Sequence, residues 1–299
     1  MLNGSRIEKI DRVTCVYHDA DFDGICSAAI VNHWCQEQKI PVDFIGADYN
    51  RLPADLPTDH AVIMVDFSLP VEQMRKLPLL VWIDHHKTAM EAADQAGFNP
   101  SGRRDTKKAG CELTWEFLFP NHAMPDAVQL LGRWDVWDHA NPEVEPFQFG
   151  MRSMRINGPT DDEWFPLLLG VSSEVNKILS RGRVVCSHLD GTYRIIGRLA
   201  HTLPEGWFLP SGSEVSMPSI PTVALNVPVH GSPQFKYCPR PAALLVAYGY
   251  NGTQWKVSLY AGPDAPADLD CGAIAKVFGG GGHKGAAGFH CDRLPWGMA

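Results

Sequence analysis

Three apolar runs in this chain end in acidic residues or histidines, and this repeated pattern constrains the fold more than any other feature. The runs and the residues that follow them are 13–17 with His18, 61–65 with Asp66, and 79–83 with Asp84. Strands of a parallel sheet that is buried on both faces read as continuous apolar segments. Ligands of such sheets bind beyond the carboxyl ends of the strands. We therefore expect the three clusters to converge in space, where crowded carboxylates favour bound cations.

The rest of the chain supports an α/β fold class with two domains. In the first half, strand-like segments alternate with helix-like ones, which favours a parallel sheet flanked by helices. The predicted strands are 13–17, 42–47, 61–66 and 79–84, and the predicted helices are 24–38, 70–77, 111–119, 123–134 and 161–180. Strands at 222–227, 242–248 and 254–260 with a helix at 270–278 predict a smaller C-terminal α/β domain. Prolines and glycines interrupt the region between the domains. We predict domains at 1–182 and 221–299, joined by 183–220.

Composition favours a cytoplasmic enzyme with a small anionic substrate. The chain has 299 residues, a hydrophobic content of 45% and a net charge of −8. It has no apolar stretch of about 18 residues, so we expect no membrane partner. The eight cysteines form no Cys-x-x-Cys pair and predict reduced thiols. The negative charge argues against a long duplex nucleic acid, which needs a basic face.

The first cluster contains His18, Asp21 and Asp23, with Asp19 beside them. In an extended segment Asp21 and Asp23 would point the same way. Imidazole and carboxylate ligands together suit Mn²⁺. The alternative interpretation is an acidic, solvated loop or a helix cap, and the sequence leaves it open which of these residues would bind an ion.

The second and third clusters differ in how specific they are. Asp66 follows a strand, a position at which an aspartate often only caps a helix. Asp84-His85-His86 is more specific, because adjacent histidines after a buried strand are uncommon, although a pair of surface histidines is the alternative. Asp135 is a further candidate, with Asp138 as its competitor. We interpret the nearby Trp134 and Trp137 as core residues rather than base-stacking platforms.

A glycine run near the C-terminus is a candidate anion site. Four glycines precede His283 and Lys284, and their backbone amides can point at an anion. A glycine-rich loop without a ligand is the alternative. The candidate substrate-binding residues are Gly280, Gly281, Gly282, His283 and Lys284.

Together these motifs resemble the DHH phosphoesterase superfamily, in the branch with the DHH-associated C-terminal domain. The most specific matching segments are 83–88 and 279–289, and the others are 17–18, 23–24, 65–68 and 135–137. The resemblance implies a two-domain hydrolase with a two-Mn²⁺ centre in the cleft between the domains, and Mg²⁺ as a substitute ion. Known activities in this branch include cleavage of very short oligonucleotides and hydrolysis of linear or cyclic dinucleotides.

We carry this resemblance over to individual residues as expectations. The expected metal ligands are His18, Asp21, Asp23, Asp66, His85 and Asp135, with Asp66 as the bridge between two ions. His86 would hold the phosphate or support the leaving oxygen, and Asp84 would orient a histidine. Many relatives carry an arginine in a Ser-Leu-Arg strand, whereas this chain has Tyr260 at that position. Tyr260 would then stack on a base or simply pack, and we expect an altered substrate choice.

The function that we expect is Mn²⁺-dependent hydrolysis of linear dinucleotides or very short oligonucleotides to mononucleotides, with a role in cyclic-dinucleotide turnover. One rival is a phosphomonoesterase for a nucleotide such as 3'-phosphoadenosine phosphate. Another is a non-catalytic nucleotide-binding sensor. The expected partner is a short nucleotide, and we consider a homodimer as the assembly.

Overall fold

The computed structural model describes residues 10–204, 207–208, 214–215, 220–227 and 231–297. The chain divides into two compact units, one reaching Cys186 and the other beginning at Ser187. This division falls within a helix that runs to Ile196, so the predicted connecting region 183–220 begins inside regular structure. The predicted boundaries of the domains stay a prediction.

The first unit contains a four-stranded parallel sheet, and the predicted α/β fold class is confirmed. Its strands are β1 (Val13–His18), β2 (Val42–Ala47), β3 (Ala61–Val65) and β4 (Leu80–Ile83), in the order β2-β1-β3-β4. The register pairs Tyr17 with Val65, and Val65 with Ile83. The chain therefore leaves three neighbouring strands at nearly the same level, which brings the residues that follow them to one edge of the sheet.

Helices cover both faces of this sheet, which explains why its strands are apolar without alternation. The helices are α1 (Phe22–Gln38), α2 (Val71–Met74), α3 (Lys87–Gln95), α4 (Gly110–Leu118), α5 (Asp126–Asp135), α6 (Val144–Arg152), α7 (Trp164–Leu168) and α8 (Ser172–Ile196). On one face Cys15 and Ile63 pack in a cluster with Ala28 of α1. On the other face Met64 and Trp82 pack with residues of α2 and α3. None of the described helices is long and apolar enough to cross a membrane.

Several predicted helices have wrong bounds, and for two of them the local reason is clear. Helix α1 begins at Phe22 rather than at 24, because the Asp21 side chain accepts hydrogen bonds from the backbone amides of Asp23 (3.0 Å) and Gly24 (3.3 Å). Asp21 and Asp23 are therefore not in an extended segment. The predicted helix 161–180 is instead two helices, α7 and α8, since Gly170 between them has a φ of +70° that an α-helix does not allow.

The second unit is built on a six-stranded sheet with the order β11-β12-β10-β9-β8-β5. Its elements are β5 (His201–Thr202), β8 (Thr222–Leu225), β9 (Leu244–Tyr250), β10 (Trp255–Ala261), α9 (Cys271–Val277), β11 (Gly281–Gly282) and β12 (Ala286–Cys291); the short strands β6 (Trp207–Phe208) and β7 (Glu214–Val215) pair with each other. Strands β8 and β9 are parallel, and the other neighbouring strands of this sheet are antiparallel. Sequence reasoning missed β12, because its glycine and alanines have little strand preference.

Candidate metal centre

The parallel sheet brings most of the predicted site residues together at one edge. His18 is the last residue of β1, Asp66 follows β3, and Asp84-His85-His86 follow β4. Asp21 caps the N-terminus of α1, and Asp135 is the last residue of α5. Three overlapping groups have ligand atoms within 4.8 Å of one another: His18, Asp21 and Asp66; Asp23, His85 and Asp135; and Asp66, His85 and His86. All eight residues predicted for the metal and catalytic roles are in the first unit.

Asp66 lies at the middle of these groups. Its Oδ1 atom is 3.2 Å from His85 Nε2, and its Oδ2 atom is 3.7 Å from His18 Nδ1. His85 Nε2 also lies 3.7 Å from Asp23 Oδ2 and 3.4 Å from Asp135 Oδ2. His18 Nδ1 is 3.5 Å from Asp21 Oδ2. Asp66 therefore lies near His85 through one carboxylate oxygen and near His18 through the other.

The backbone and the carboxylate of Asp66 are both unusual. Its φ is +50°, in the left-handed region that few residues other than glycine adopt. Strain of this kind concentrates at functional sites. The side chain is only 1% exposed, and its Oδ1 atom has no partner in hydrogen-bonding geometry although His85 is at ion-pair distance. A buried carboxylate oxygen without a hydrogen bond points to a cation as its partner.

Helix α4 supplies a part of the site that sequence reasoning missed. The backbone amides of Gly110 and Cys111 donate hydrogen bonds to the two carboxylate oxygens of Asp23, at 2.7 and 2.8 Å. The N-terminus of a helix stabilises negative charge, so α4 holds Asp23 in place beside His85. Glycine is required at position 110, because a Cβ atom there would lie 2.6 Å from Asp66 Cβ. The only sequence signal was a glycine at the start of a helix.

Ion pairs decide which of the competing aspartates face the centre. Asp138 lies 3.4 Å from Arg133, whose other nitrogen donates to Glu112 at 2.8 Å. Asp135, in contrast, faces His85. Asp19 is paired in the same way with Arg51 and is absent from the three groups.

Asp84 lies behind the histidines rather than among the metal-facing carboxylates. Its Oδ1 atom accepts hydrogen bonds from the backbone amides of His85 (2.8 Å) and His86 (3.2 Å), and it lies 2.7 Å from His86 Nδ1. The side chain is fully buried. This contact fixes the orientation of the His86 ring, as carboxylates commonly do for histidines at metal sites.

Carboxylates raise the pKa values of the histidines. Contacts with Asp21 and then Asp66 raise the pKa of His18 to about 10, although burial opposes this. Burial lowers the pKa of His85, but Asp66, Asp23 and Asp135 outweigh it and raise the value to about 10. The imidazoles thus act as the cations among the acids when no metal ion is bound.

The acids respond to one another and to burial. Burial would raise the pKa of Asp66, but His18 and His85 outweigh it and lower the value. Burial raises the pKa of Asp135 to about 7, and the charge on Asp66 adds to the effect. The pKa of Asp23 is raised for the same two reasons. The buried carboxylates of Asp23, Asp66 and Asp135 repel one another unless cations lie between them.

The residues present fit divalent metal ions. The cluster offers both imidazole and carboxylate donors, a buried Asp66 oxygen without a hydrogen bond, and three overlapping groups of three donors. Binding an ion would displace the protons that the histidines otherwise hold.

A part of the first unit matches the model of a known protein family. Residues 12–131 match the model of the DHH family, N-terminal domain. Residues 12–131 are a DHH-family N-terminal domain. This DHH domain includes every predicted metal and catalytic residue except Asp135, which lies just beyond the match. The predicted DHH family is confirmed for these residues, and so is the predicted class of enzyme, a metal-dependent phosphoesterase. Comparison with curated proteins found no match.

Two solved structures share the fold of this protein. One is described as a pGpG-specific phosphodiesterase, PggH, from Vibrio cholerae; it is 12% identical, has a TM-score of 0.51, and the alignment covers 94% of this chain and 93% of that one. The other is RecJ in complex with Mn²⁺ from Thermus thermophilus, 13% identical with a TM-score of 0.50, covering 96% of this chain and 50% of that one. At these identities the likeness concerns the fold.

The glycine run lies outside the DHH domain, in the second unit, and most of it has a structural explanation. Gly279, with a φ of +79°, ends the turn after α9. A Cβ atom at Gly280 would lie 2.1 Å from the Gly288 carbonyl oxygen, and one at Gly282 would lie 2.6 Å from Ala287 Cα. A Cβ atom at Gly279 or at Gly281 would meet nothing within 4 Å. Close contacts in the hairpin β11–β12 thus require glycine at positions 280 and 282, two of the positions predicted to bind an anion.

Of the other residues considered for substrate binding, His283 and Lys284 are exposed and Tyr260 is partly buried. The Lys284 ammonium donates a hydrogen bond to the Ala267 carbonyl at 2.7 Å. Tyr260 packs against the apolar cluster that contains Leu245 and Phe235. The role of the 280–284 segment in substrate binding stays a prediction.

We expect Gly110→Ala to damage the site from within the fold. The added Cβ atom must push Asp66 or α4 aside, which should cost about 1–3 kcal/mol of unfolding free energy. A misplacement of about 1 Å should lower metal-supported turnover by about 100-fold. Thermal unfolding and a phosphodiesterase assay measure the two effects. Gly191→Ala is the matched control, since a Cβ atom there meets nothing within 4 Å, and this variant should keep full activity. Normal turnover by Gly110→Ala would contradict the expectation.

Proposed function

We propose that this protein is a Mn²⁺-dependent phosphodiesterase that hydrolyses linear dinucleotides or very short oligonucleotides to mononucleotides. One observation carries the proposal: the buried carboxylate of Asp66 belongs to one set of three donor residues, and its Oδ1 atom lies 3.2 Å from His85 Nε2 of a second set, at the carboxyl edge of the parallel sheet. Two adjoining ion sites that share a carboxylate suit the in-line displacement of a phosphate ester.

The two sets of residues would hold one ion each. His18, Asp21 and Asp66 form the first, and Asp23, His85 and Asp135 form the second. The ions, when bound, neutralise phosphate charge and lower the pKa of an attacking water. Mn²⁺ is favoured over Mg²⁺ because two of the donors are imidazoles, whereas Mg²⁺ prefers an oxygen shell.

His86 would act on the substrate and Asp84 would orient His86, rather than either being a main ion ligand. The Asp84 carboxylate, 2.7 Å from His86 Nδ1, keeps the ring in one orientation. Burial opposes protonation of His86, but Asp84 and Asp66 outweigh it and raise its pKa. A protonated, fixed imidazole can donate a hydrogen bond to a phosphate oxygen and stabilise the charge that develops on the leaving oxygen.

Substrate length is inferred from charge and from the second unit. A net charge of −8 provides no extended basic track for a long strand. We infer that the segment 280–284 binds one terminal group of a short substrate. In this proposal, residues 221–299 are a DHH-associated substrate-binding domain and residues 1–182 are the catalytic domain. The V. cholerae phosphodiesterase with the same fold is described as specific for pGpG, a substrate of this size.

A substrate panel with added Mn²⁺ tests the proposal. The panel contains linear RNA and DNA of two to seven nucleotides, cyclic dinucleotides, long single strands, and 3'-phosphoadenosine 5'-phosphate. We expect the highest kcat/KM with a two-nucleotide substrate. Preference for the bisphosphate would indicate a phosphomonoesterase, preference for long strands an exonuclease, and no turnover of any substrate a nucleotide sensor.

We expect His283→Ala to weaken hydrolysis of a dinucleotide more than that of bis(p-nitrophenyl) phosphate. The smaller diester lacks the remote group that this segment would bind, and remote binding energy appears in KM or in kcat. His290→Ala is the matched control, because His290 is also exposed in the second unit. Steady-state kinetics on both substrates measure the effect. Equal losses would place His283 in the chemistry, and no loss would remove this segment from substrate binding.

A further inference from the structure

An exposed aromatic ring stands beside the metal centre. Tyr49 follows β2, and its side chain is 47% exposed. Its ring centroid lies 5.8 Å from that of His18 and 5.7 Å from that of His86. The centroid of the buried Phe67 ring lies 5.0 Å from that of the Tyr49 ring. Tyr49 is thus held by site residues on one side while a large part of its surface is open.

A second exposed aromatic ring lies at the other set of donors. Trp137 is 63% exposed, so the interpretation of this residue as core is wrong. It follows Asp135 by two residues, which keeps the two Cα atoms within about 7.6 Å. Its φ of +59° is rare for a bulky residue, and such strain concentrates at functional sites.

A stack of rings holds Trp137 in one orientation. The centroid of the His139 ring is 5.9 Å from that of Trp137 at an interplanar angle of 9°. The His139 ring also stacks on Trp134, with centroids 4.9 Å apart and an interplanar angle of 11°. Trp134 in turn packs against the apolar core of the first unit. The tryptophan is therefore ordered without being buried, which has a cost in water unless a ligand covers it.

From this arrangement we infer that Tyr49 and Trp137 are base-stacking residues, which bind the two nucleobases on either side of the phosphate at the metal centre. Tyr49 contacts His18, a member of the first donor set, and Trp137 adjoins Asp135, a member of the second. The inference rests on the proposed function and adds how the substrate is recognised. Aromatic rings stack on every base with little sequence preference, so two such residues select a dinucleotide by its size rather than by its sequence.

The experiment compares Tyr49→Ala and Trp137→Ala with Tyr49→Phe on intact and partly abasic dinucleotides. Two analogues each lack one base but keep both sugars and the phosphate. On the intact dinucleotide each alanine variant should raise KM by about tenfold or more, the size of one base–aromatic stack. Each variant should match the wild type on the analogue that lacks the base on which the deleted ring would stack. Tyr49→Phe keeps the ring, so its rise in KM on the intact dinucleotide should be smaller than that of Tyr49→Ala.

Controls separate stacking from structural damage. Phe165→Ala removes a ring of the same unit that is 54% exposed and should leave all constants unchanged. Bound Mn²⁺, measured by elemental analysis, should be the same in every variant. If the wild type hydrolyses dinucleotides but Tyr49→Ala and Trp137→Ala leave KM unchanged, or lose equally on intact and abasic substrates, the inference is overturned while the proposed function stands. If the wild type hydrolyses no dinucleotide, the proposed function itself fails and the inference falls with it.

Discussion

Replacing Asp66 with asparagine should abolish phosphodiesterase turnover while the protein stays folded. Asparagine keeps the shape of the side chain and tolerates the left-handed backbone at φ +50°. It removes the one carboxylate that contacts imidazoles of both donor sets. Loss of a partner outside the ligand shell already costs about 10- to 100-fold, so we expect a larger fall in kcat/KM.

Stability without metal should change little in Asp66→Asn. The charge on Asp66 raises the pKa values of Asp23 and Asp135, so its removal relieves repulsion among buried acids. The variant also loses ion pairs to two histidines, which opposes that gain. Thermal unfolding in the presence of a chelator measures the balance, and elemental analysis measures the loss of bound metal.

Asp138→Asn provides the matched control for Asp66→Asn. Asp138 is close to the site in sequence, but it pairs with Arg133 and is absent from the three donor groups. This variant should retain its turnover and its bound metal. Near-normal rates in Asp66→Asn, with Asp138→Asn also normal, would show that Asp66 does not bind an essential ion.

Removal of divalent ions should reduce turnover to background, and Mn²⁺ should restore it better than Mg²⁺. The two donor sets each contain an imidazole, which suits Mn²⁺, whereas Mg²⁺ prefers oxygen ligands and keeps its waters. Dialysis against a chelator, followed by titration with either ion, measures the effect. Two Mn²⁺ ions should bind per chain, and the melting temperature should rise with Mn²⁺ concentration because the ions bind the folded state.

The metal titration has clear contradicting outcomes. Full activity after exhaustive chelation would exclude a role for the ions in the reaction. Restoration to the same rate by Mg²⁺ would contradict the preference for Mn²⁺ and leave the rest of the proposal standing. Saturation at one ion per chain would contradict the assignment of two donor sets.

Several glycines allow the groups of the site to approach one another closely. A Cβ atom at Gly24 would lie 1.9 Å from the His18 carbonyl oxygen, and one at Gly46 would lie 2.6 Å from Asp19 Oδ2. Together with Gly110 they surround the strand ends that carry the donors. Small residues at these positions let helices α1 and α4 begin directly against the strands, so that helix N-termini and donor side chains share one small volume.

The sequence by itself determined the sheet and the convergence of its strand ends. Runs such as 13–17 and 61–65 have no polar alternation, which predicts strands that are covered on both faces, as in a parallel sheet. Parallel strands end at one edge, which predicts that His18, Asp66 and Asp84 share that edge, and the strand order β2-β1-β3-β4 then makes them neighbours. The chemistry of these residue types then indicated divalent ions.

Only the tertiary structure decided which neighbouring acids face the centre. Asp135 and Asp138 are equivalent in sequence, and the choice between them comes from Arg133, which pairs with Asp138. Asp23 is held by backbone amides 87 and 88 residues away in the chain. Periodicity describes which face of an element is apolar, but contacts between distant elements determine where a polar side chain points. For the same reason the exposure of Trp137 and the place of Tyr49 beside His18 became apparent only once the elements had packed.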